Sequence, residues 1–270
     1  MTNAIGFKQG QIGDLVIQTA VARAYKEQSE GGLLTFGINT KYKDILPLFF
    51  NNQYIDDYHI WDGYDNWPTH NDIEYINFRK FDVVFHPMAR TSSHDWYNKH
   101  HYITEDCLVQ GLKSPSEMKY SLNPWFPLYK DHQKTITLSL FPSSSTQLNK
   151  TLDIDKCEQL CLDIKKLGYR PIQLGGKFDI RLKNAENPDL SIFEATKLML
   201  SSKLHITADT SFSSIAAGYN HPTIGFYGLN YPNMTDCFSH LPPNNNAFYF
   251  KPKNVKDLRV EEIIDKVKDF

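Results

Sequence analysis

Three loops of the sequence carry side chains that could bind an anion or accept a proton. The first, KQGQIGD (8–14), joins an apolar run to a helical pattern and ends in Gly13-Asp14. Gly13 permits a tight turn or the close approach of a ligand. The Asp14 carboxylate can either cap the following helix or be presented to a ligand. The loop has neither the G-x-G-x-x-G nor the Gly-Lys-Ser/Thr spacing, so it indicates neither a dinucleotide fingerprint nor a Walker loop.

The second loop, FPSSSTQLNK (141–150), stands between a strand pattern and a helix pattern and carries four hydroxyls and one amine. These side chains are Ser143, Ser144, Ser145, Thr146 and Lys150. Backbone N–H groups at such a turn, with hydroxyls and a cation, are the groups that hold a diphosphate. A solvated serine-rich loop has the same composition, so both interpretations stand.

The third loop opens TADTSFSSIAAG (207–218), where a strand pattern ends and a helix of small residues begins. Its polar side chains are Asp209, Thr210, Ser211, Ser213 and Ser214. The positive end of the helix dipole would face an anion here. An ordinary Asp or Thr helix cap explains the same residues.

The elements that position these loops alternate between strand and helix along the whole chain. Apolar runs such as LLTFGI (33–38) and TITLSLFP (135–142) are each followed by a helical pattern, for example LDIDKCEQLCLDIKKLG. Such alternation is typical of parallel α/β sheets, whose ligands bind at the carboxyl ends of the strands. A Pro-rich aperiodic stretch after Gly111 indicates a linker, so we expect two domains, 1–130 and 131–254, with a cleft between them. The amphipathic pattern at 255–270 predicts a closing helix.

Composition excludes several classes of protein. The formal net charge of −2 argues against a broad cationic surface, so nucleic acid is not an expected partner. No segment resembles a secretion signal or a membrane span, so we expect a cytoplasmic protein with at most peripheral membrane contact.

Metal-ligand spacing is missing as well. The four cysteines form no C-x-x-C, and Cys157 and Cys161 are spaced as one buried helix face. Asp153-Ile154-Asp155 stands at a helix start, where acidic residues favour the dipole, so we interpret it as a cap. The sequence therefore predicts no metal and no cofactor.

Four segments, in order, resemble the ADP-heptose:lipopolysaccharide heptosyltransferase-like glycosyltransferases of family nine. They are IGDLVIQTAVARAYKE, KFDVVFHPMAR, LSLFPSSSTQLNKTLDIDKCEQLCLDIKKLGYRPIQLGG and SIFEATKLMLSSKLHITADTSFSSIAAGYNHPTIGFYG. The resemblance implies the GT-B fold, an α/β architecture of two Rossmann-like domains whose parallel sheets face each other across a cleft. It also implies that the closing helix packs back on the N-terminal domain.

The resemblance assigns roles to residues of the three loops. It implies that Asp14 is the general base that deprotonates the acceptor hydroxyl, and that Ser144, Ser145 and Lys150 hold the donor diphosphate. It implies that the segment Asp209–Ser211 closes on the nucleotide-sugar from the other side. The nucleoside-side and acceptor-side candidates are Gly175, Gly176, Asp179, Gly13, Arg90 and His86. The chain departs from the family pattern at Ser211, where a Gly is usual, and at Ser214, where a His is usual, so heptose is not assumed.

Two further stretches have alternative interpretations. A metal could be held by a polar stretch comprising His86, Arg90, His94, His100, His101, Glu105 and Asp106, but adjacent histidines point to different sides of a helix, so Arg90 is favoured as an acceptor contact. The aromatic stretch YHIWDGYDNWP (58–68) could stack on sugars, and a packed loop over the core is favoured instead.

The sequence thus predicts a metal-independent, inverting glycosyltransferase of lipopolysaccharide or surface-glycan biosynthesis. Its partners would be a nucleotide-diphosphate sugar as substrate and a glycan or glycolipid acceptor. The alternatives are a nucleotide-sugar hydrolase or epimerase on the same scaffold, and a non-catalytic module that binds nucleotide-sugar or glycan.

Overall fold

The computed structural model describes residues 2–7, 11–62, 79–85, 100–130, 132–142, 150–176, 179–229 and 234–270. The chain forms two compact units, Met1–Trp125 and Phe126–Phe270. The division falls within the Pro-rich stretch, ahead of the boundary at 130 that the sequence predicts. Among the described residues, no helix is both long enough and apolar enough to cross a membrane.

The first unit contains a parallel sheet of four strands in the order β3-β2-β1-β4. The strands are β1 (Asn3–Phe7), β2 (Leu33–Asn39), β3 (Asp57–Trp61) and β4 (Val83–Phe85). The other elements are α1 (Ile12–Gln28), a 3-10 helix (Thr40–Phe49) and α2 (Tyr102–Val109). The buried residues of α1 include one leucine and three alanines, which favour helix, and Gly31 with φ +83° lies in the short connection to β2.

The Pro-rich stretch is fastened to the first unit rather than acting as a free linker. The Arg23 guanidinium of α1 bonds Glu27 at 2.8 Å and Glu117 at 3.0 Å. The Ser121 N–H donates to the Thr19 hydroxyl at 2.8 Å, and the Trp125 indole donates to the Pro47 carbonyl at 2.7 Å. The Thr19 hydroxyl thereby satisfies a backbone N–H that the irregular segment does not pair within a helix or strand.

The second unit contains a parallel sheet of five strands in the order β6-β5-β7-β8-β9. The strands are β5 (Thr135–Ser139), β6 (Arg170–Gln173), β7 (Leu204–Thr207), β8 (Thr223–Phe226) and β9 (Ala247–Phe250). The helices are α3 (Ile154–Lys166), α4 (Ile192–Ser201), α5 (Ser211–Gly218) and α6 (Val260–Asp269), with 3-10 turns at Phe238–His240 and Val255–Asp257.

The core of the second unit lies between its sheet and helices α3 and α6. Cys157, Leu160, Cys161 and Ile164 of α3 are all fully buried, which confirms the predicted helix face. Burial raises the pKa of the Cys157 and Cys161 thiols to about 12, so both are neutral core side chains.

The closing helix α6 packs on the second unit, and its packing on the N-terminal domain, which the resemblance implies, stays an expectation. Its apolar stripe, Val260, Ile263, Ile264 and Val267, belongs to the same core cluster as α3. An amphipathic helix buries its stripe against the nearest complementary apolar surface, and α3 offers one.

The described part of the aromatic stretch at 58–68 begins as a strand, not as the loop that the sequence favours. Tyr58–Trp61 belongs to β3, at the edge of the first sheet, and the Trp61 side chain is 1% exposed. Buried in this way, Trp61 has no face for a sugar. Residues 63–68 lie outside the described residues.

Candidate functional site

Lys150 and Asp209 meet at the carboxyl ends of β5 and β7 in the second unit. The Lys150 Nζ lies 2.6 Å from the Asp209 Oδ2, and the two side chains are only 14% and 22% exposed. The order of the strands reverses between β5 and β7, and in parallel α/β sheets ligands bind at such a reversal. The sequence predicts both residues as diphosphate ligands, and the structure places them side by side.

The loop that carries Asp209 is fixed to the sheet by hydroxyl groups. The Thr210 Oγ1 lies 2.9 Å from the Ser139 Oγ and 3.2 Å from the Thr207 Oγ1. The Ala208 N–H donates to the Ser139 carbonyl at 3.0 Å. The Thr210 side chain is thus turned back onto β5 and β7, where it holds the loop. This geometry suits a positioning role better than the donor contact that the sequence predicts.

Helix α5 begins directly after this loop, with Thr210 as its N-cap residue. The Ser213 hydroxyl donates to the Thr210 carbonyl at 2.6 Å, so it too serves the local backbone. Ser213 and Ser214 are buried, and Ser211 is half-buried. The first turn of a helix carries backbone N–H groups without helical partners and the positive end of the dipole. In α5 that end begins two residues after Asp209.

The structure describes only the two ends of the serine-rich loop after β5, up to Pro142 and from Lys150. Ser143, Ser144, Ser145 and Thr146 lie outside the described residues. At the far end the Thr151 hydroxyl donates to the Leu140 carbonyl at 2.6 Å. This bond holds Thr151, the neighbour of Lys150, at the end of β5. It thereby positions the Lys150 ammonium at the carboxyl ends of the strands.

Gly175, Gly176 and Asp179 form a closed turn after β6. The Gly176 N–H donates to the Asp179 Oδ2 at 2.6 Å, and the Asp179 N–H donates to the Gly176 carbonyl at 3.1 Å. A Cβ on Gly175 would lie 2.4 Å from the same carboxylate oxygen. The Asp179 carboxylate therefore folds back on its own turn, so a ribose contact remains a prediction that would use its second oxygen.

Lys251, which sequence reasoning missed, lies directly after β9. Burial raises the pKa of the Cys237 thiol, and weaker electrostatic effects reach that thiol from Lys251 and Asp209. Lys251 and Asp209 thus both lie within electrostatic reach of the Cys237 thiol. The signal that could have revealed it is the aromatic run AFYF, which is β9, ending in a lysine.

Asp14 occupies the first turn of α1 in the first unit. The Gln11 N–H donates to the Asp14 Oδ2 at 2.9 Å, so the carboxylate closes a capping box. This is the capping role that the sequence left open, and it engages one of several acceptor positions of a carboxylate. Gly13 lies in the same helical turn and not in the preceding loop. The strand order of this sheet reverses at β1, the strand that precedes this turn.

Helix α2 joins α1 through buried polar groups. The Gln18 Nε2 donates to the Asp106 Oδ2 at 3.3 Å, and Asp106 is fully buried. The His101 Nδ1 caps α2 by accepting the Ile103 N–H at 3.2 Å. His86, Arg90 and His94 lie outside the described residues. Within the described ranges, no three His, Cys, Asp or Glu side chains are grouped to hold a metal ion.

Comparison with known proteins gives similarity in structure alone. The chain matches no protein-family model, and no curated protein sequence is significantly similar to it. A family 9 glycosyltransferase from Veillonella parvula is 14% identical, with a TM-score of 0.77 over 99% of this chain and 96% of its own. E. coli ADP-heptose lps heptosyltransferase II is 12% identical, with a TM-score of 0.70 over 100% and 98%. E. coli heptosyltransferase WaaC, solved with ADP, is 13% identical, with a TM-score of 0.68 over 99% of each chain.

The chain has the GT-B fold. The fold class predicted from the sequence is therefore confirmed, and both units contribute to the similarity because it spans nearly the whole chain. Within the GT-B fold, each unit carries a candidate side chain beside its strand reversal, Asp14 in the first and Lys150 in the second. The division of roles among these residues is a matter for proposal.

Proposed function

We propose that this GT-B protein is a glycosyltransferase that moves a sugar from a nucleotide-diphosphate donor to a hydroxyl of a glycan or glycolipid acceptor. The observation that carries the proposal is the Lys150 ammonium at the strand reversal of the second sheet, in a fold shared end to end with family 9 enzymes. Two of those similar structures are E. coli heptosyltransferases, one of them solved with ADP.

The donor side of the proposal rests on the charge that a leaving diphosphate gains. As the bond from sugar to phosphate breaks, negative charge grows on the phosphate oxygens, and a fixed cation lowers the barrier. Lys150 supplies that cation, and the first turn of α5 supplies N–H groups nearby. The hydroxyls of Ser143–Thr146 would complete the cradle. In this proposal these groups, rather than a metal, stabilise the leaving diphosphate.

The acceptor side of the proposal assigns Asp14 as the general base. Its carboxylate is half-buried in the first turn of α1, after β1, and its capping bond to Gln11 fixes its orientation. A base held in one orientation can take the acceptor proton as the hydroxyl attacks the anomeric carbon. Direct attack on the face opposite the leaving diphosphate inverts the anomeric configuration.

The donor class is tested by thermal unfolding of the full chain with ADP, UDP, GDP and CDP, each with and without EDTA. A ligand at about 100 times its Kd adds about 2.7 kcal/mol to the free energy of unfolding, which raises the Tm by several degrees. We expect one nucleotide to raise the Tm equally with and without EDTA. A shift that EDTA abolishes would refute metal independence, and no shift with any nucleotide would refute the proposed donor site.

The base is tested with Asp14→Asn, which keeps an acceptor oxygen for the Gln11 N–H but cannot take a proton. We expect turnover of the sugar conjugates of the identified nucleotide to fall about 10²–10⁴-fold, with affinity for the nucleotide unchanged. Glu262→Gln is the matched control, because Glu262 closes a similar capping box on α6. Parental turnover in Asp14→Asn would refute the assignment, and sugar release without acceptor would favour the hydrolase alternative.

A further inference from the structure

The ion pair of Lys150 and Asp209 places a negative charge where the proposed donor is also negative. A carboxylate in contact with the ammonium cancels most of its field, so the pair as a whole offers little net attraction for an anion. A residue selected simply to bind diphosphate would not be an acid. The role of Asp209 is therefore directed at Lys150 rather than at the diphosphate.

The structure shows which partner of the pair is fixed by the fold. Asp209 lies between Ala208, bonded to β5, and Thr210, bonded to β5 and β7 through its hydroxyl. The Thr210 N–H also donates to the Ala208 carbonyl at 2.8 Å, which closes the loop around Asp209. Lys150, by contrast, reaches the site on a four-carbon stem with several rotatable bonds. The anchored carboxylate thus orders the ammonium.

Burial strengthens this effect relative to ion pairs at the surface. The Lys150 and Asp209 side chains are 14% and 22% exposed, whereas those of the Arg170–Glu186 pair in the same unit are 55% and 54% exposed. Screening by water is weaker at the first pair, so each of its charges acts more strongly on its surroundings. Removing the Asp209 charge should therefore change the affinity for an anion that binds beside Lys150.

We propose that Asp209 is a positioning residue, the resident counter-ion of Lys150, which orders the ammonium before the donor binds and limits how tightly a nucleoside diphosphate is held. This inference rests on the proposed function, because it concerns the same site. An ammonium has three N–H donors, so Lys150 can keep its bond to Asp209 and still donate to phosphate oxygens. The nearby carboxylate then weakens the attraction and favours release of the diphosphate product.

The experiment measures affinity by calorimetry at low salt for ADP, GDP, UDP, CDP and inorganic pyrophosphate. The proteins are the parent chain, Asp209→Asn, Lys150→Met and the double variant. Because one unit charge is removed beside the anion, we expect Asp209→Asn to bind diphosphate about tenfold more tightly and Lys150→Met about tenfold more weakly. The double variant should not show the gain, since the gain acts through Lys150. Glu186→Gln, which breaks the exposed pair at the start of β6, should change affinity less than twofold.

A gain in affinity separates this role from a structural one, because damage to the loop would weaken binding. Turnover gives a second readout: Asp209→Asn should lower kcat while KM for the donor falls, since the ammonium is less ordered and product leaves more slowly. Asp209→Glu should restore part of kcat. If the parent chain binds diphosphate and Asp209→Asn binds it equally or less tightly, the counter-ion role is refuted and the proposed function stands. If neither the parent chain nor Asp209→Asn binds any of the five probes, the counter-ion role and the proposed function are both refuted.

Discussion

Two buried histidines beneath α5 predict that the second unit loses stability in mild acid. His205, in β7, is 0% exposed; its Nδ1 lies 3.0 Å from the Thr137 Oγ1, and its Nε2 has no hydrogen-bond partner among the described residues. His221, 7% exposed, follows α5, and its Nε2 is likewise unpartnered there. Burial, together with the charge of His221, lowers the pKa of His205 to about 3, and burial lowers that of His221 to about 4.

The size of the effect follows from proton linkage. The unfolded chain protonates these imidazoles near pH 6.5, whereas the folded chain keeps them neutral down to about pH 4 and about pH 3. Their contribution to stability is therefore complete above pH 6.5 and is lost as the pH falls below it. At pH 5 each histidine lowers the free energy of unfolding by roughly 2 kcal/mol relative to its value above pH 6.5.

The assay is urea unfolding of the full chain at pH 7.5 and pH 5.0, for the parent and for His205→Asn. Asparagine keeps a side-chain amide near the Thr137 hydroxyl but does not titrate. We expect the variant to lose about 2 kcal/mol less than the parent between the two pH values, whatever its stability at pH 7.5. His132→Asn, at a half-buried histidine of the same unit, is the control. Equal losses in the parent and His205→Asn would refute the reasoning.

Two further predictions concern packing in the second unit. Gly175→Ala should cost roughly 1 kcal/mol and Gly176→Ala less, because a Cβ at Gly175 would lie 2.4 Å from the Asp179 carboxylate but one at Gly176 no closer than 3.8 Å; equal costs by urea unfolding would contradict the turn geometry. Ile263→Ala should cost about 2–5 kcal/mol because Ile263 is fully buried in α6, whereas Ile154→Ala, at a side chain 48% exposed, should cost much less. A small cost at Ile263 would mean that α6 does not pack in this core.

The two strands that the sequence misses, β3 and β9, lie at sheet edges, although the edge strands β4 and β6 are predicted. Every residue of β5, β7 and β8 is buried, and their sequences, TITLS, LHIT and TIGF, are rich in the β-branched and apolar residues that favour strands. The missed strands β3 and β9 are the edges of their sheets and are mostly half-buried. The sequence DYHIW of β3 mixes polar and aromatic residues, so a loop is favoured there.

The docking of α6 could not be predicted from its own pattern. The stripe of Val260, Ile263, Ile264 and Val267 establishes that one face is buried, but a hydrophobic stripe carries no record of its partner. The resemblance implies packing on the first domain, and the apolar surface of α3 that α6 covers lies in the second. Which surface is nearest depends on tertiary structure, and spacing alone does not reveal it.

The candidate site shows the same limit at the level of single side chains. The sequence places Lys150, Asp209 and Thr210 after strand patterns, and parallel topology brings such residues to one edge, so their gathering follows from the sequence. Their roles do not follow from the sequence. Asp209 contacts Lys150, and Thr210 bonds Ser139 and Thr207, and these pairings depend on tertiary structure. A polar side chain at a strand end can face a ligand or hold the residue that does. Because Thr210 anchors the Asp209 loop and Asp209 contacts the Lys150 ammonium, we propose that both residues are of the second kind.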